Sequence, residues 1–241
     1  MITKKTMEKI LGIAELAFTT AKLDEEIKTP LLAYNYDEAR LDQCLELHKK
    51  AKEDYQKQKK ERSEQFQATA ELEKALDEAN PVYIEHISLA RLALKDKSRK
   101  KPKFSLAESR RKDIYGRLEQ AEVFYDNVLA DEEILNELAT RFGLTKEKLA
   151  AGKQLVIKVK QANKSRQKEK SESQQATLDR DKSFKVLYDA LSEFFQVCQF
   201  ALAARPQLLE RLGYLKLSEG YRRQVEDKED KEKENETEKK S

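Results

Sequence analysis

The chain has 241 residues, of which 39% are hydrophobic and 39% are charged, with six glycines, four prolines and no tryptophan. This composition is typical of long helices and coiled coils, and it disfavours sheet-rich folds, which need β-branched and aromatic residues with frequent turns. The formal net charge of +3 is too small to indicate nucleic-acid binding by itself.

Cysteine usage and hydropathy bear on the compartment. Cys44 and Cys198 are too few for a disulfide framework, and we interpret them as small buried hydrophobic residues in a reducing compartment. The opening "MITKKTMEKILGIAELAF" has lysines before an apolar run, but Glu8 and Glu15 interrupt that run, so a signal peptide is not expected. No stretch reaches the roughly 20 apolar residues of a membrane span. The sequence therefore predicts a cytoplasmic protein.

The first predicted element is a helix from about Lys5 to Ala33, because apolar residues recur along it at helical spacing. Asn35 can adopt a positive φ and stop this helix, and Asp37 can cap the next one. The pattern predicts a tight antiparallel hairpin at this point.

A second helix of about 60 residues is predicted after Asp37, apolar at both ends and polar in the middle, where Lys59 to Thr69 reads "KKERSEQFQAT". No glycine or proline interrupts this polar middle, so we expect the helix to continue through it, giving a length of roughly 90 Å. The alternative is a break, which Asn80-Pro81 favours, since the pair is typical of an N-cap and first helical residue.

The same pattern then recurs. Residues 36–97 align with residues 144–205 at an offset of 108 without a gap, and 15 of the 62 positions are identical. Chance would give roughly a third of that number, which indicates a repeat. We predict a first helix at Ala107 to Arg141, a turn at Gly143 with Thr145 as the next cap, and a second long helix whose polar middle is "QKEKSESQQAT".

The predicted organisation is a helical repeat at 1–105, a second at 106–217, and a disordered charged tail at 218–241. The predicted fold is all-α, a tandem duplication of a helical hairpin whose long antiparallel helices form an elongated helical bundle. If the long helices break at their polar middles, the fold becomes a compact six-helix bundle instead.

Four segments carry a resemblance: "FYDNVL", "LATRFGLTKEKLAAGK", "QQAT" and "ALAARPQLLERLGY". They resemble a family of bacterial helical proteins with an FG-x-x-x-x-(K/R)-L-x-x-G segment, a QAT triplet and an RPxLLxxLG ending. The likeness covers most of residues 120–215 and only weakly the first copy, where Tyr34-Asn35 and Cys44 depart from the Phe-Gly and Gly of the second. That family has no assigned activity, so the resemblance implies the fold and no catalytic residue.

Metal and catalytic motifs receive little support. Cys44 and His48 have the i, i+4 spacing of two metal ligands, but the second copy has Gly152 and Val156 there, and no further cluster completes a site. His86 aligns with Phe194, which indicates a core or boundary position. No Glu precedes either histidine by three residues, as the motif of bundle di-iron sites requires. We predict no catalytic residue, cofactor or metal.

The segment Lys95 to Asp113 carries nine basic and three acidic residues. Such a cluster could bind phosphates of nucleic acid or, less readily, of a membrane surface. We favour a solvated connection between repeats, because only Phe104 could stack on a base. The candidate anion-binding residues are Lys97, Arg99, Lys100, Lys101, Lys103, Arg110, Arg111 and Lys112.

A Gln-Ala-Thr triplet is retained in both polar middles, although solubility alone does not require identity. The small residues favour a close helix crossing, and a partner-binding surface is the second interpretation. The residues concerned are Gln67, Ala68, Thr69, Gln175, Ala176 and Thr177. Together these patterns predict a non-enzymatic helical scaffold or protein-interaction module, acting on an unknown protein partner or by self-association. Binding of an anionic surface, nucleic acid before membrane, is the alternative.

Overall fold

A computed structural model describes residues 4–95, 102–106 and 109–214. These residues form seven α-helices and one 3₁₀ turn, and none of them lies in a β-strand, so the predicted all-α class is confirmed. The helices are α1 (Lys4–Leu23), α2 (Glu25–Leu32), α3 (Glu38–Ala93), α4 (Ile114–Leu129), α5 (Glu132–Phe142), α6 (Lys146–Ala201) and α7 (Gln207–Arg211), with the 3₁₀ turn at Pro102–Phe104.

Helices α3 and α6 are the two predicted long helices, and each is continuous over 56 residues. The alternative with a break at Asn80-Pro81 is wrong, because Pro81 lies inside α3 without ending it. Asn80 does not act as a cap: its Oδ1 accepts a hydrogen bond from the Arg110 guanidinium. Ala79 and Tyr83, on either side of the proline, are buried, and this packing offsets the backbone hydrogen bond that a proline removes.

The prediction of one helix from Lys5 to Ala33 is wrong, because one helix ends before Asp24 and a second begins after it. The Asp24 carboxylate caps α2 by accepting a hydrogen bond from the Glu26 N–H at 3.0 Å. The second copy does the same at Asp131, which caps α5 through the Ile134 N–H at 3.3 Å. Both breaks carry the letters D-E-E-I, an N-cap followed by acidic residues that favour the positive end of a helix dipole.

Helix α4 also starts later than the predicted Ala107, which lies outside the described residues. It begins at Ile114, after Asp113, whose Oδ1 accepts a hydrogen bond from the Gly116 N–H at 2.7 Å. This N-cap satisfies one of the free amide groups of the first turn and fixes the helix start.

Both predicted turns before the long helices are confirmed. Asn35 has φ 59° and Gly143 has φ 63°, the left-handed conformation that ends a helix. The Asp37 carboxylate then accepts from the Arg40 N–H at 2.9 Å, while Thr145 Oγ1 lies 3.5 Å from the Lys148 nitrogen. The two turns have the same shape with different residues.

The described residues form two compact units. Unit 1 comprises those within 1–59 and 175–241, and unit 2 those within 60–174. Each unit therefore draws on both predicted repeats, and the repeat boundaries stay a sequence prediction. In both units, one half of α3 packs against the opposite half of α6, with α1, α2 and α7 on the pair in unit 1 and α4 and α5 in unit 2.

The unit 1 core joins α1 and α2 to the first part of α3, the last part of α6, and α7. Cys44 and Cys198 are buried free thiols within it, as the sequence predicted. The main core residues are Phe18, Ile27, Leu31, Leu41, Tyr55, Phe184, Leu191, Phe194, Leu208 and Leu212.

The unit 2 core joins α4 and α5 to the last part of α3 and the first part of α6. Phe104, in the 3₁₀ turn, is fully buried there, so it is a core residue and not a surface ring that could stack on a base. The main core residues are Tyr83, Leu94, Phe104, Phe124, Tyr125, Ile134, Leu138, Leu144 and Leu149.

Positions in the two units can be compared by simple offsets, 108 along α3 and α6 and 107 from α1 and α2 to α4 and α5. Corresponding residues make corresponding contacts: Glu15 and Lys52 approach to 4.0 Å in unit 1, and Glu122 and Lys160 to 2.6 Å in unit 2. Two residues related by one of these offsets are called corresponding residues.

The predicted charged tail, 218–241, lies outside the described residues. Among the helices that the structure describes, none is both apolar and long enough to traverse a lipid bilayer.

Candidate functional site

The structure describes half of the predicted anion-binding cluster. Lys97, Arg99, Lys100 and Lys101 lie outside the described residues. They therefore stay a prediction without a structural account.

The other four cations of that cluster are described, and three of them contact separate groups of unit 2. Lys103 Nζ lies 3.0 Å from Asp131 Oδ2. Arg111 is 2.8 Å from Glu119 Oε2, and Arg110 donates to Asn80 as noted above. The fourth, Lys112, is exposed. Because these contacts point to different acceptors, the described cations do not converge on one phosphate-sized site.

The alanines of the Gln-Ala-Thr triplets are buried. Ala68 is 5% exposed in unit 2 and Ala176 is 2% exposed in unit 1. Ala68 lies beside a shallow depression that Ser165 and Glu169 of α6 also line, so this alanine faces the neighbouring helix. Thr69 turns its hydroxyl back to the Gln65 carbonyl at 2.8 Å. These contacts favour the helix-crossing interpretation for the alanines.

The glutamines of the triplets make matching bonds one turn along their own helices. Gln67 Nε2 donates to Glu71 Oε1 at 3.3 Å, and Gln175 Nε2 donates to Asp179 Oδ1 at 2.8 Å. Glutamine and acid pairs at i, i+4 stabilise an exposed helix. The repeated glutamines therefore have a structural role, and a partner surface is not needed to explain them.

An acidic cluster in the polar middle of unit 2 was not predicted. Oxygens of Glu61, Glu64 and Glu169 lie within 4.8 Å of one another, on half-buried side chains. Two lysines balance them, since Lys60 approaches Glu64 to 3.5 Å and Lys168 approaches Glu169 to 3.7 Å. The sequence could not show this cluster, because the third carboxylate arrives from the other helix.

Cys44 and His48 lie together in unit 1, as the helical spacing predicted, and both are buried. Burial raises the pKa of the Cys44 thiol, and a protonated thiol is a poor metal ligand. Burial also lowers the pKa of His48, whose Nε2 lies 4.0 Å from a carboxylate oxygen of Glu15. This pair behaves as part of the core.

His86 occupies a core position, as predicted, and is 5% exposed. Its Nδ1 lies 3.1 Å from the Tyr125 hydroxyl, and the two rings meet edge to face. Gly152 makes room for this pair, because a Cβ there would come within 2.4 Å of the hydroxyl oxygen. The histidine and tyrosine satisfy each other inside the core.

A groove of unit 2 lies between the start of α4 and the first part of α6, with a volume of about 590 Å³. Carbon atoms form most of its surface, although seven of its ten lining residues are polar or charged, and the Tyr115 ring at its rim is 62% exposed. Its volume is within the range of small-molecule and side-chain pockets. The lining residues are Tyr115, Leu118, Glu119, Glu122, Ile157, Lys160, Gln161, Asn163, Lys164 and Gln167.

Asn163 lines this groove, but its side-chain oxygen is buried beneath the surface. The residue is only 4% exposed, and its Oδ1 has no hydrogen-bond partner among the described residues. A buried amide without a partner costs about 1–3 kcal/mol. The nearby ion pair between Glu122 and Lys160, at 2.6 Å, does not use this oxygen.

Sequence reasoning missed Asn163, although the alignment carries a signal. The corresponding residue in unit 1 is Tyr55, so a large side chain in one copy faces a small polar one in the other. An asparagine among apolar positions of a long helix could have marked this place as a cavity or a binding site. That the space stays open could not be read from the residues.

No protein-family model, curated protein or solved structure gives a significant match to this chain. The resemblance to a bacterial helical family therefore stays a prediction from the quoted segments.

Proposed function

We propose that the protein is a non-enzymatic helical interaction protein that binds a protein partner through the α4–α6 groove of unit 2. The observation that carries this proposal is the groove itself, with a volume of about 590 Å³ and the Tyr115 ring 62% exposed at its rim. A partner side chain that fills the groove would remove apolar surface from water, which contributes about 25 cal/mol per Å².

The state of the other buried polar groups supports an interaction role over a catalytic one. His86 is bound to Tyr125, and His48 is kept neutral by burial, because desolvation lowers its pKa. The two cysteine thiols are buried with raised pKa values, the opposite of what an activated nucleophile needs. The groove itself supplies a concave, largely apolar surface, which serves recognition.

The alternative function, binding of an anionic surface through the Lys95–Asp113 segment, has less support. Lys103 and Arg111 each hold a carboxylate of unit 2 at 3.0 and 2.8 Å. A phosphate would have to displace these acids, and the described cations would contribute to it from separate directions.

A cytoplasmic location is part of the proposal. Cys44 and Cys198 are free and buried, which suits a reducing compartment, where thiols are not needed as disulfides. Fractionation of cells that express the native chain tests this location.

The proposed function is tested by photo-cross-linking in cells. A benzoylphenylalanine is placed at Tyr115, on the groove rim, and in a matched chain at Phe66, an aromatic of unit 2 with 61% exposure against the 62% of Tyr115. We expect a discrete adduct from position 115 and none of the same mass from position 66. An adduct of twice the chain mass would identify the partner as a second copy.

The Asn163→Tyr variant gives the control for the groove, because a tyrosine side chain should fill the space. The adduct at position 115 should then disappear while the helical circular dichroism signal is kept. Equal adducts at positions 115 and 66, or an adduct that persists in the filled variant, would contradict the proposal.

A further inference from the structure

The two walls of the α4–α6 groove carry charges of opposite sign. The charged residues on the α4 wall are both acidic, Glu119 and Glu122, and those on the α6 wall are both basic, Lys160 and Lys164. Glu122 and Lys160 form an ion pair within the chain at 2.6 Å. The other two charges are not paired with each other: Glu119 contacts Arg111 at 2.8 Å, and Lys164 forms no ion pair among the described residues.

Unit 1 shows that the fold does not need the charges of Glu119 and Lys164. Glu119 corresponds to Gly12, and Lys164 corresponds to Gln56, so both positions are uncharged in unit 1. Both charged side chains of unit 2 are exposed. Unit 2 alone therefore presents an acid and a base on opposite walls of the groove, at positions where unit 1 packs without either.

Glu119 and Lys164 also lie at nearly the same level along the groove. The ion pair of Glu122 with Lys160, and a second pair that joins a later residue of α4 to an earlier one of α6, show that these helices run antiparallel. Glu119 precedes Glu122 by three residues and Lys164 follows Lys160 by four. At 1.5 Å per residue these steps are about 4.5 Å and about 6 Å in the same direction, so the two charges face each other across the groove.

We propose that the partner in the groove is a second copy of this chain, related to the first by a two-fold axis parallel to α4 and α6. This inference rests on the proposed function and identifies its partner. The axis brings the α4 wall of each copy onto the α6 wall of the other, so that Glu119 of one copy meets Lys164 of the other. By symmetry the same ion pair forms twice. A two-fold axis across the helices would set acid against acid, so the charges select the parallel axis.

The same orientation covers the apolar part of the groove. Leu118 and Ile157 line it and are half-buried, and the Tyr115 ring at the rim is 62% exposed. In a two-fold contact each of these surfaces is removed from water twice. Because exposed ion pairs contribute little affinity and chiefly set orientation, we expect a weak dimer, with a dissociation constant of about 10–100 μM.

Other partners match only one wall of the groove. A nucleic acid or an acidic peptide would pair with Lys164 but bring negative charge against Glu119 and Glu122. A basic peptide would meet the reverse problem at the two lysines. A second copy supplies a base for the acidic wall and an acid for the basic wall in a single contact.

The first test is the mass of the full chain in solution, measured by sedimentation equilibrium from micromolar to millimolar concentration. The mass should rise from the 28.0 kDa of one chain toward twice that value. Added salt should weaken the association, because the ion pairs lie at the surface. A chain that stays monomeric at millimolar concentration overturns the inference.

Charge reversal distinguishes this surface from any other. Lys164→Glu and Glu119→Lys should each raise the dissociation constant of the dimer by about tenfold or more, because each variant sets like charges together twice. Both substitutions in one chain exchange the two charges, so they should restore the constant to within about threefold of the native value. Circular dichroism checks that the helices of each variant are intact.

The matched control is Lys158→Glu. Lys158 is exposed on α6 and does not line the groove, and its reversal changes the net charge as much as Lys164→Glu does. The control should leave the dissociation constant within about twofold of the native value. An equal effect of Lys158→Glu and Lys164→Glu would show a general effect of charge and overturn the contact.

The remaining outcomes separate this inference from the proposed function. A dimer that is equally tight in both single variants, or a combined variant as weak as the single ones, overturns the two-fold contact. If the groove-dependent adduct at position 115 then has a mass other than twice that of the chain, the groove binds a different protein. In that case the inference of a second copy fails while the proposed function stands.

Discussion

Unit 1 and unit 2 differ at three corresponding positions that line the contacts between short and long helices. Unit 1 has Tyr55, Phe194 and Cys44 where unit 2 has Asn163, His86 and Gly152. In unit 1 the aromatic side chains close the core between the short helices and the long ones. In unit 2 the same helices enclose a hydrogen-bonded histidine and leave an open groove. One arrangement of helices therefore supports a closed core in one unit and an open groove in the other.

The ring pairs show how small the geometric difference is. Phe18 and Phe194 meet edge to face at 5.3 Å in unit 1, and the corresponding Tyr125 and His86 meet edge to face at 5.9 Å in unit 2. The polar pair adds a hydroxyl that projects toward α6, and α6 accommodates it with Gly152. The contacts between helices are conserved in form while their chemistry changes from apolar to polar.

The largest effect should follow from giving unit 1 the open site of unit 2. Tyr55→Asn removes a buried ring from its contacts with Phe184 and Glu8, so we expect a loss of about 3 kcal/mol in the free energy of unfolding. Urea denaturation followed by circular dichroism measures it.

The control for this substitution is Tyr55→Phe, which keeps the ring and removes only the hydroxyl. It should lose about 1 kcal/mol. Equal losses for the two variants would mean that the hydrogen bond to Glu8, and not the ring, closes unit 1.

A smaller loss is expected at Gly152, where unit 1 has the larger Cys44. In Gly152→Ala the added Cβ would meet the Tyr125 hydroxyl at 2.4 Å and the His86 Nδ1 at 2.9 Å. Since Tyr125 is fully buried and cannot move aside freely, we expect a destabilisation of about 2 kcal/mol by urea denaturation.

A matched glycine is available in α1. A Cβ at Gly12 would meet nothing within 4 Å, so Gly12→Ala should stabilise the chain by about 0.5–1 kcal/mol through helix propensity. A stabilising Gly152→Ala would show that the ring pair can shift, against the close packing described here.

The polar pair of unit 2 should make the chain sensitive to acid. Burial lowers the pKa of His86, while Glu85 raises it and Lys148 lowers it further, to smaller extents. The unfolded chain therefore binds a proton at a higher pH than the folded chain, and stability falls as the pH drops below about 6.5. The double variant His86→Phe with Tyr125→Phe, which copies unit 1, should show a smaller fall between pH 7.5 and pH 5.

Near neutral pH this double variant should be within about 1 kcal/mol of the native chain, because both hydrogen-bond partners are removed together. Its control is His48→Val, the residue that unit 2 has there. His48 also has a pKa lowered by burial, with Glu15 opposing the shift, so removing it should reduce a separate part of the acid sensitivity. If the melting temperature falls by the same amount between pH 7.5 and pH 5 in the native chain and in the double variant, the role of His86 is refuted.

The smallest effect is expected at the turns before the long helices. Asn35 and Gly143 hold nearly the same positive φ, so Gly143→Asn should change the free energy of unfolding by no more than about 0.5 kcal/mol. Gly143→Ala, which lacks the asparagine's tolerance of this conformation, should lose about 1 kcal/mol. A loss from Gly143→Asn as large as that from Gly143→Ala would show that the two turns are not equivalent.

Much of the helical framework follows from the sequence. The polar middles contain no glycine or proline, and the structure continues the helices through them. The hydrophobic periodicity did not reveal the helix end at Asp24, because the apolar residues Ile27 and Leu31 keep helical spacing beyond it. Only the capping carboxylate of Asp24 marks this helix end. An alignment of the short helices at an offset of 107 would have shown that the D-E-E-I letters at Asp24 recur at Asp131.

The groove could not be predicted from the sequence, for a different reason. Residues from α4 and α6 line it, and which α4 residue lies opposite which α6 residue depends on how far α4 is displaced along α6. The start of α4 at Ile114, seven residues after the predicted one, sets that displacement. The substitution of Asn163 for tyrosine could be read, whereas the fact that no neighbouring side chain fills the space is a property of packing.

The two units also differ in how the chain must be made. Unit 2 uses a contiguous run, residues 60–174, whereas the core of unit 1 joins Phe18 to Leu212. At the usual 5–20 residues per second, a ribosome needs roughly 10–40 s to travel from one to the other. Unit 2 can therefore close before the last part of unit 1 has been made. During that interval α1 can pack against α2 and the first part of α3, but Phe18 still lacks its contact with Phe194.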